Sequence, residues 1–240
     1  MYMDAIDLRD FYATSLGQAA RRVLQHRIRA LWPDVTGLSV LGLGYATPFL
    51  SPFRGEAERV LAAMPASQGV LPWPREDGGL TTLVDEADLP FPDMSIDRIL
   101  VVHGLECTEQ LRPFMREVWR VLSSRGRLLV VAPNRRGIWA RLERTPFGHG
   151  LPYSTGQLSR VLRDSLFTPD RGRAGLYVPP TRWRMVLASA LAWEEIGPRW
   201  FGTFGGVVMA EATKQTYAGT AEPTKRRRGY RALAPYDIGA

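Results

Sequence analysis

The 240-residue chain is 45% hydrophobic and 23% charged, with a net charge of +7. That is the balance of a globular protein with a core, and the excess of base admits an anionic partner without speaking to fold. Its one cysteine, Cys107, excludes an intramolecular disulfide and a cysteine-based zinc site.

The first residues carry acids early and lack a basic segment followed by an apolar one, so no signal peptide is read. No apolar run approaches the ~18 residues of a membrane span. A cytoplasmic protein with no membrane partner is expected. Asp7 to Trp32 repeat apolar residues near a 3.6-residue period, which predicts a helix packed on a sheet edge, with Gly17 a point where it divides in two. A lid over a pocket is the other reading of this helix. Pro33 and Gly37 end it. Leu38 to Leu41 then meet Gly42 and Gly44, the pattern of a buried parallel strand (Ser39 to Leu43) entering a tight turn.

Phe49 to Met64 is predicted as a helix on Ala57, Val60, Leu61 and Ala63, followed by a short second strand at Gln68 to Leu71. Leu80 to Val84 reads as a third strand ending at Asp85, and Pro90 and Pro92 make the next stretch a loop. Asp97 to His103 is a β-branched fourth strand. Thr108 to Leu122 is a helix stopped near Gly126, a candidate left-handed cap, and Arg127 to Ala132 is a fifth strand. Strands alternating with helices at this spacing predict an α/β fold with a mostly parallel sheet. Beyond Pro133 come a basic, aromatic, glycine-rich segment and a helix from Ser154 to Ser165 capped by Thr155 or Ser154. A strand at Ala174 to Val178, an amphipathic helix from Trp183 to Ile196 and a last strand at Gly205 to Ala212 complete the pattern. The division expected is a helical segment over 1–37, the main domain over 38–213 and a basic, partly disordered tail over 214–240 centred on Lys225 to Arg228.

Three pieces stand in one unbroken order: Asp85-x-x-x-Leu-Pro-Phe-Pro-Asp-x-Ser-x-Asp97, Val101-Val-His-Gly-Leu-Glu106, and the run from Glu117 to Asn134. With the glycine turn, this resembles the class I S-adenosylmethionine-dependent methyltransferases, most closely the small type 11 branch. The resemblance implies a Rossmann-like seven-stranded sheet with helices on both faces and the last strand antiparallel. It also implies S-adenosylmethionine as cofactor and in-line methyl transfer to an unidentified acceptor. Gly42, Gly44 and Tyr45 are then candidates to face the cofactor's methionine part. A turn needed only for strand–helix packing is the other reading of the two glycines. Asp85 would accept from the adenine amino group, with Glu86 beside it. His103 would line the sulfonium pocket or be a satisfied structural histidine.

The chain departs from the family in three places. Gly42 stands where an acid is usual, Ala46 where a glycine is usual, and Gly69 to Pro74 carries no acid for the ribose hydroxyls. Trp73, by stacking on adenine, or Glu76 could substitute. Pro48 also removes an amide near the turn. Asn134, Arg135, Arg136, Trp139 and Tyr153 form the candidate substrate side, since arginines among aromatics can grip a phosphate, a carboxylate or an unstacked base. If the acceptor must lose a proton, His103 or His149 is the candidate base. The competing function is a methyltransferase-like binding or scaffold subunit, RNA- or assembly-associated, with a partner protein. A dinucleotide oxidoreductase would need a third glycine and an acid about 20 residues on, and both are missing. No spacing of ligand residues predicts a metal site.

Overall fold

A computed structural model of the chain describes residues 3–74 and 79–215. Glu76 and the tail from residue 216, with Lys225 to Arg228, lie outside the described residues. The strands are β1 (Ser39–Gly44), β2 (Arg59–Pro65), β3 (Thr81–Val84), β4 (Ile96–Val102), β5 (Leu122–Pro133), β6 (Phe167–Gly175) and β7 (Val207–Lys214). They form one seven-stranded sheet in the order β3-β2-β1-β4-β5-β7-β6. The pairings from β3 to β5 are parallel, and β7 runs antiparallel to both β5 and β6. This is the fold class the sequence predicts. The order reverses between β1 and β4, the switch point where open α/β sheets leave a crevice beyond their carboxyl ends.

Helices cover both faces. Helices α1 (Ala5–Ala13), α2 (Ser15–Leu31) and the single turn α3 (Thr47–Leu50) join one core cluster. Helices α4 (Leu111–Val121) and α5 (Thr155–Asp164) join the cluster on the opposite face. β4 and β5 need no amphipathic alternation because both of their faces are buried. α5 starts with a capping box in which Ser154 and Gln157 satisfy each other's amides, so Ser154 is the cap.

Five expectations are corrected. The N-terminal helix divides at Thr14, not Gly17. Thr14 is extended, and its hydroxyl caps α2 by accepting from the Gly17 amide at 3.0 Å. The second strand is β2, from Arg59 to Pro65, and not Gln68 to Leu71. Val60 to Met64 is a short, continuous apolar run that fits a helix period as well as a buried strand. Gly126 is not a left-handed cap. α4 ends at the extended Leu122, and Gly126 lies inside β5, where a Cβ would come within 2.6 Å of the Leu122 side chain. The sixth strand is Phe167–Gly175, upstream of Ala174 to Val178. The helix from Trp183 to Ile196 is two helices, α6 (Arg184–Ala188) and α7 (Ala190–Trp200), turning a corner at Ser189.

The Leu-Pro-Phe-Pro-Asp loop is irregular because of its prolines, and α4 holds it in place. Arg120 donates to the carbonyls of Leu89 (2.8 Å) and Phe91 (2.9 Å) and to Asp93 (2.6 Å). Glu117, buried, accepts from the Leu89 amide at 2.9 Å and pairs with Arg120. The Arg120 hydrogen bond, joined by the Leu89 amide, holds the Glu117 carboxyl below its ordinary range. A carboxyl depressed by folding stabilises above its unfolded value and loses that contribution as pH falls through its folded value. Arg120→Ala is expected to cost about 2 kcal/mol at neutral pH. The difference from the unmutated protein should shrink as pH drops below about 4, read from urea unfolding across that range; a pH-independent difference would contradict the pairing.

Candidate active site

The carboxyl edge at the switch point is built by β1, β4 and α1. Gly44 takes φ +78°, and a Cβ there would lie 2.4 Å from the Val102 carbonyl oxygen and 2.9 Å from the Gly104 nitrogen. A Cβ on Gly42 would meet Ala46 and Leu50 at 2.7 Å. The chain itself therefore occupies the space beside both glycines. Tyr45, buried, stacks on Tyr12 of α1 with centroids 6.0 Å apart and planes 12° from parallel.

His103 follows β4 with φ +52°, an uncommon conformation for a residue with a side chain. Its ring is buried between two partners. Nε2 is 2.7 Å from the Tyr12 hydroxyl, and Nδ1 is 3.2 Å from Glu106 Oε1. With Glu106 ionised, Nδ1 must donate to it, and Nε2 of the neutral ring accepts from Tyr12. Phe147 packs on the imidazole at 5.0 Å. Gln68 donates its side-chain amide nitrogen to the His103 carbonyl and accepts at its main-chain carbonyl from the Ala5 amide at 2.8 Å. Glu106 is almost fully buried, and its Oε2 has no hydrogen-bond partner among the described residues.

Burial, with Glu106 adding its charge, raises the Tyr12 phenol well above its ordinary value. The same two causes raise Tyr153 and push the half-buried Cys107 thiol up to about 12, which favours its protonated form.

The other candidate residues are placed as follows. Asp85, exposed at the end of β3, closes its own turn by accepting from the Ala87 amide at 2.9 Å. Glu86 accepts from the Thr108 hydroxyl at 2.6 Å, which ties it to the segment after β4. Trp73 lies under the Arg54 guanidinium at 5.7 Å. Asn134 donates to the carbonyls of Thr203 (2.7 Å) and Gly205 (2.6 Å), fastening the loop after β5 to the approach to β7. Trp139 is core and donates to the Val178 carbonyl at 2.9 Å. Tyr153 is buried and forms a bridge with Asn134, while Arg135 and Arg136 are exposed. His149 Nε2 lies 2.6 Å from the Glu143 carbonyl, and the following Gly150 and Leu151 pack against Glu106.

Of the predicted set, the structure thus gathers Gly42, Gly44, Tyr45 and His103 at one crevice, while Trp73 pairs with Arg54 and packs on the same core cluster as Tyr45, and Arg135 and Arg136 are exposed. Sequence reading missed Tyr12, Gln68 and Glu106. Glu106 carried a signal, its spacing of three from His103 on one turn. Among the described residues no group of histidine, cysteine and carboxylate side chains could hold a metal ion.

Residues 42–130 match the family described as "Methyltransferase domain", which runs from the first glycine to the middle of β5. The demethylmenaquinone methyltransferase of Thermus thermophilus is 26% identical over 159 residues, 64% of this chain and 63% of that protein. The chain thus spans less than two thirds of that relative's length. Among solved structures, a Thermotoga maritima S-adenosylmethionine-dependent methyltransferase superposes with a TM-score of 0.62 at 16% identity, over 86% of this chain and 94% of the other. Geranyl diphosphate C-methyltransferase from Streptomyces coelicolor, solved with S-adenosyl-L-homocysteine, gives 0.55 at 14% identity over 80% and 76%. The structural likenesses carry the fold, and the domain match carries the register of the crevice. Together they show that residues 42–130 are similar to a methyltransferase domain and that the chain shares the fold of solved S-adenosylmethionine-dependent methyltransferases.

Proposed function

We propose that this protein is an enzyme that transfers a methyl group from S-adenosylmethionine to a nucleophile held at the carboxyl edge of the sheet. The observation that supports this most is the domain match over residues 42–130, because that segment builds the β1–β4 crevice itself. The donor set suits the cofactor. Glu106 Oε2 is a buried carboxylate oxygen without a partner among the described residues, suited to a hydroxyl or a cation. The turn from Gly42 to Tyr45, with Asp85, Glu86 and Glu106, would hold the cofactor. Pro65 ends β2 where a ribose-binding acid is usual.

When bound, the cofactor supplies a methyl carbon made electrophilic by its sulfonium. The chain supplies the rest. Tyr12, Tyr45 and Gln68 fill the crevice in the conformation described, so entry needs α1 to turn away about the extended Thr14. With Tyr12 withdrawn, His103 Nε2 is the atom that takes the acceptor's proton, and Glu106 stabilises the resulting imidazolium. His149 is the second candidate base. Tyr45, Phe49 and Phe147, all buried, exclude water.

A second reading is a methyltransferase-like binding subunit, nucleic acid being one partner its basic segments suit. Pro65 in place of the acid and the filled crevice favour it. Calorimetry with S-adenosylmethionine separates the two. The expected result is micromolar binding that Tyr12→Ala strengthens about tenfold, because a closed state lowers apparent affinity by its population. Tyr12→Phe keeps the ring and should give a smaller gain. No heat from any of the three proteins up to millimolar ligand, with RNA retained at low salt, would overturn methyl transfer and establish the second reading.

A further inference from the structure

The most exposed apolar surface is on α6, α7 and the turn that follows. Trp183 is 75% exposed, Met185 86% and Trp200 78%, with Phe201 and Phe204 beyond them. Ile138, Phe201 and Phe204 line one shallow cavity of about 110 Å³ together with the partly buried Trp193, so these three exposed side chains lie together, with Phe201 next in the chain to Trp200. Their exposure does not come from a loose helix. The inner side of α7 is pinned by Glu194, which pairs with Arg27 and accepts from the amides of Leu176 (3.3 Å) and Tyr177 (2.5 Å). Trp200 is thus carried by a fixed element.

Charge accompanies them. Arg182 and Arg184 flank Trp183, Arg199 precedes Trp200, and all three arginines are exposed. Against them, Glu195 is the exposed acid of α7. Tryptophan with neighbouring arginine suits the headgroup level of a bilayer, where the ring is half-immersed and the guanidinium meets phosphate. A second copy of this chain on the same face would bring like charges together across a two-fold axis.

We propose that this face docks the protein on the surface of an anionic lipid bilayer. The proposal does not depend on methyl transfer. It goes against the expectation of no membrane partner, which rested on the absence of a spanning run. Among the described residues no helix is long and apolar enough to cross a membrane, but a docking face needs none. The face adjoins a cleft of about 320 Å³ lined by Phe11 and Thr14 at the α1–α2 joint and by Thr181, Arg182 and Leu187. Docking would therefore set the edge that α1 covers close to the lipid.

The test is co-sedimentation of the full chain with vesicles of phosphatidylcholine alone and of phosphatidylcholine with phosphatidylglycerol. Binding is expected to the anionic vesicles, to weaken with salt, and to blue-shift tryptophan emission. The basic cluster from Lys225 to Arg228 also carries charge, so the aromatic variants decide. Trp183→Ala with Trp200→Ala should lower partitioning at least about tenfold, with melting unchanged, and Arg182→Gln with Arg184→Gln should reduce it on anionic vesicles only. Partitioning that the tryptophan variants leave intact, or no partitioning at low salt, overturns the proposal. Self-association lost in the same variants without vesicle binding, or capture only by an acidic protein, overturns it in favour of that occupant.

Discussion

Gly44→Ala is expected to lower stability by about 3 kcal/mol or more. The left-handed φ of +78° costs a side chain about 1–2 kcal/mol. The Cβ would then press on the Val102 carbonyl, at the end of a strand buried on both faces, and on the Gly104 nitrogen just beyond it. Neither can rotate away, so overpacking adds about 1–3 kcal/mol. That is a large share of the ~5–15 kcal/mol a domain commonly has. Gly69 supplies the control. It has a similar φ of +80° but nothing within 4 Å of its would-be Cβ, so Gly69→Ala should show the backbone term alone, about 1–2 kcal/mol. Urea midpoints measure both. Equal losses at the two positions would mean that the contact with β4 contributes nothing.

Glu194→Ala is expected to cost about 3–5 kcal/mol. The carboxylate is buried, and losing it strands the Arg27 guanidinium and the amides of Leu176 and Tyr177 at once. Glu194→Gln keeps one oxygen for the amides and should lose less. The double variant Arg27→Met with Glu194→Met should recover part of the loss, because an apolar pair of similar volume leaves no buried charge unpaired. A loss under about 1 kcal/mol for Glu194→Ala would place the pair with ordinary surface ion pairs and remove it as the anchor of α7.

How far the sequence reveals the molecule follows from the reach of each contact. β1, β4 and β5 are readable because Val40 to Leu43, Ile99 to Val102 and Leu128 to Val131 are apolar on both faces, a pattern few elements share. β2 is not, because Val60 to Met64 satisfies two periods, and what settles it is parallel pairing with β1, which no local pattern carries. The site divides in the same way. His103 is legible as the residue that ends a buried strand. Its partner Tyr12 lies 91 residues earlier on a helix whose period says only that one face is buried. The basic aromatic segment after β5 looked like a binding loop, yet Trp139 and Asn134 are spent on later segments of the same chain, at 178 and at 203 and 205. Composition alone cannot distinguish a ring that packs inward from one that meets a ligand.

The place of β7 in the sheet has a consequence for the birth of the fold. The last strand among the described residues is not at the edge. It inserts between β5 and β6, with Arg127 facing Thr213 and Phe167 facing Lys214. Until it arrives, β5 offers an open, apolar strand edge and β6 has no neighbour in the sheet. Assembly is thus a closing step, with the central strands waiting on β7, which is synthesised after every other strand of this sheet. Slow, non-local pairing of this kind leaves the nascent chain aggregation-prone late in folding, and a chain cut before Val207 would keep that edge permanently.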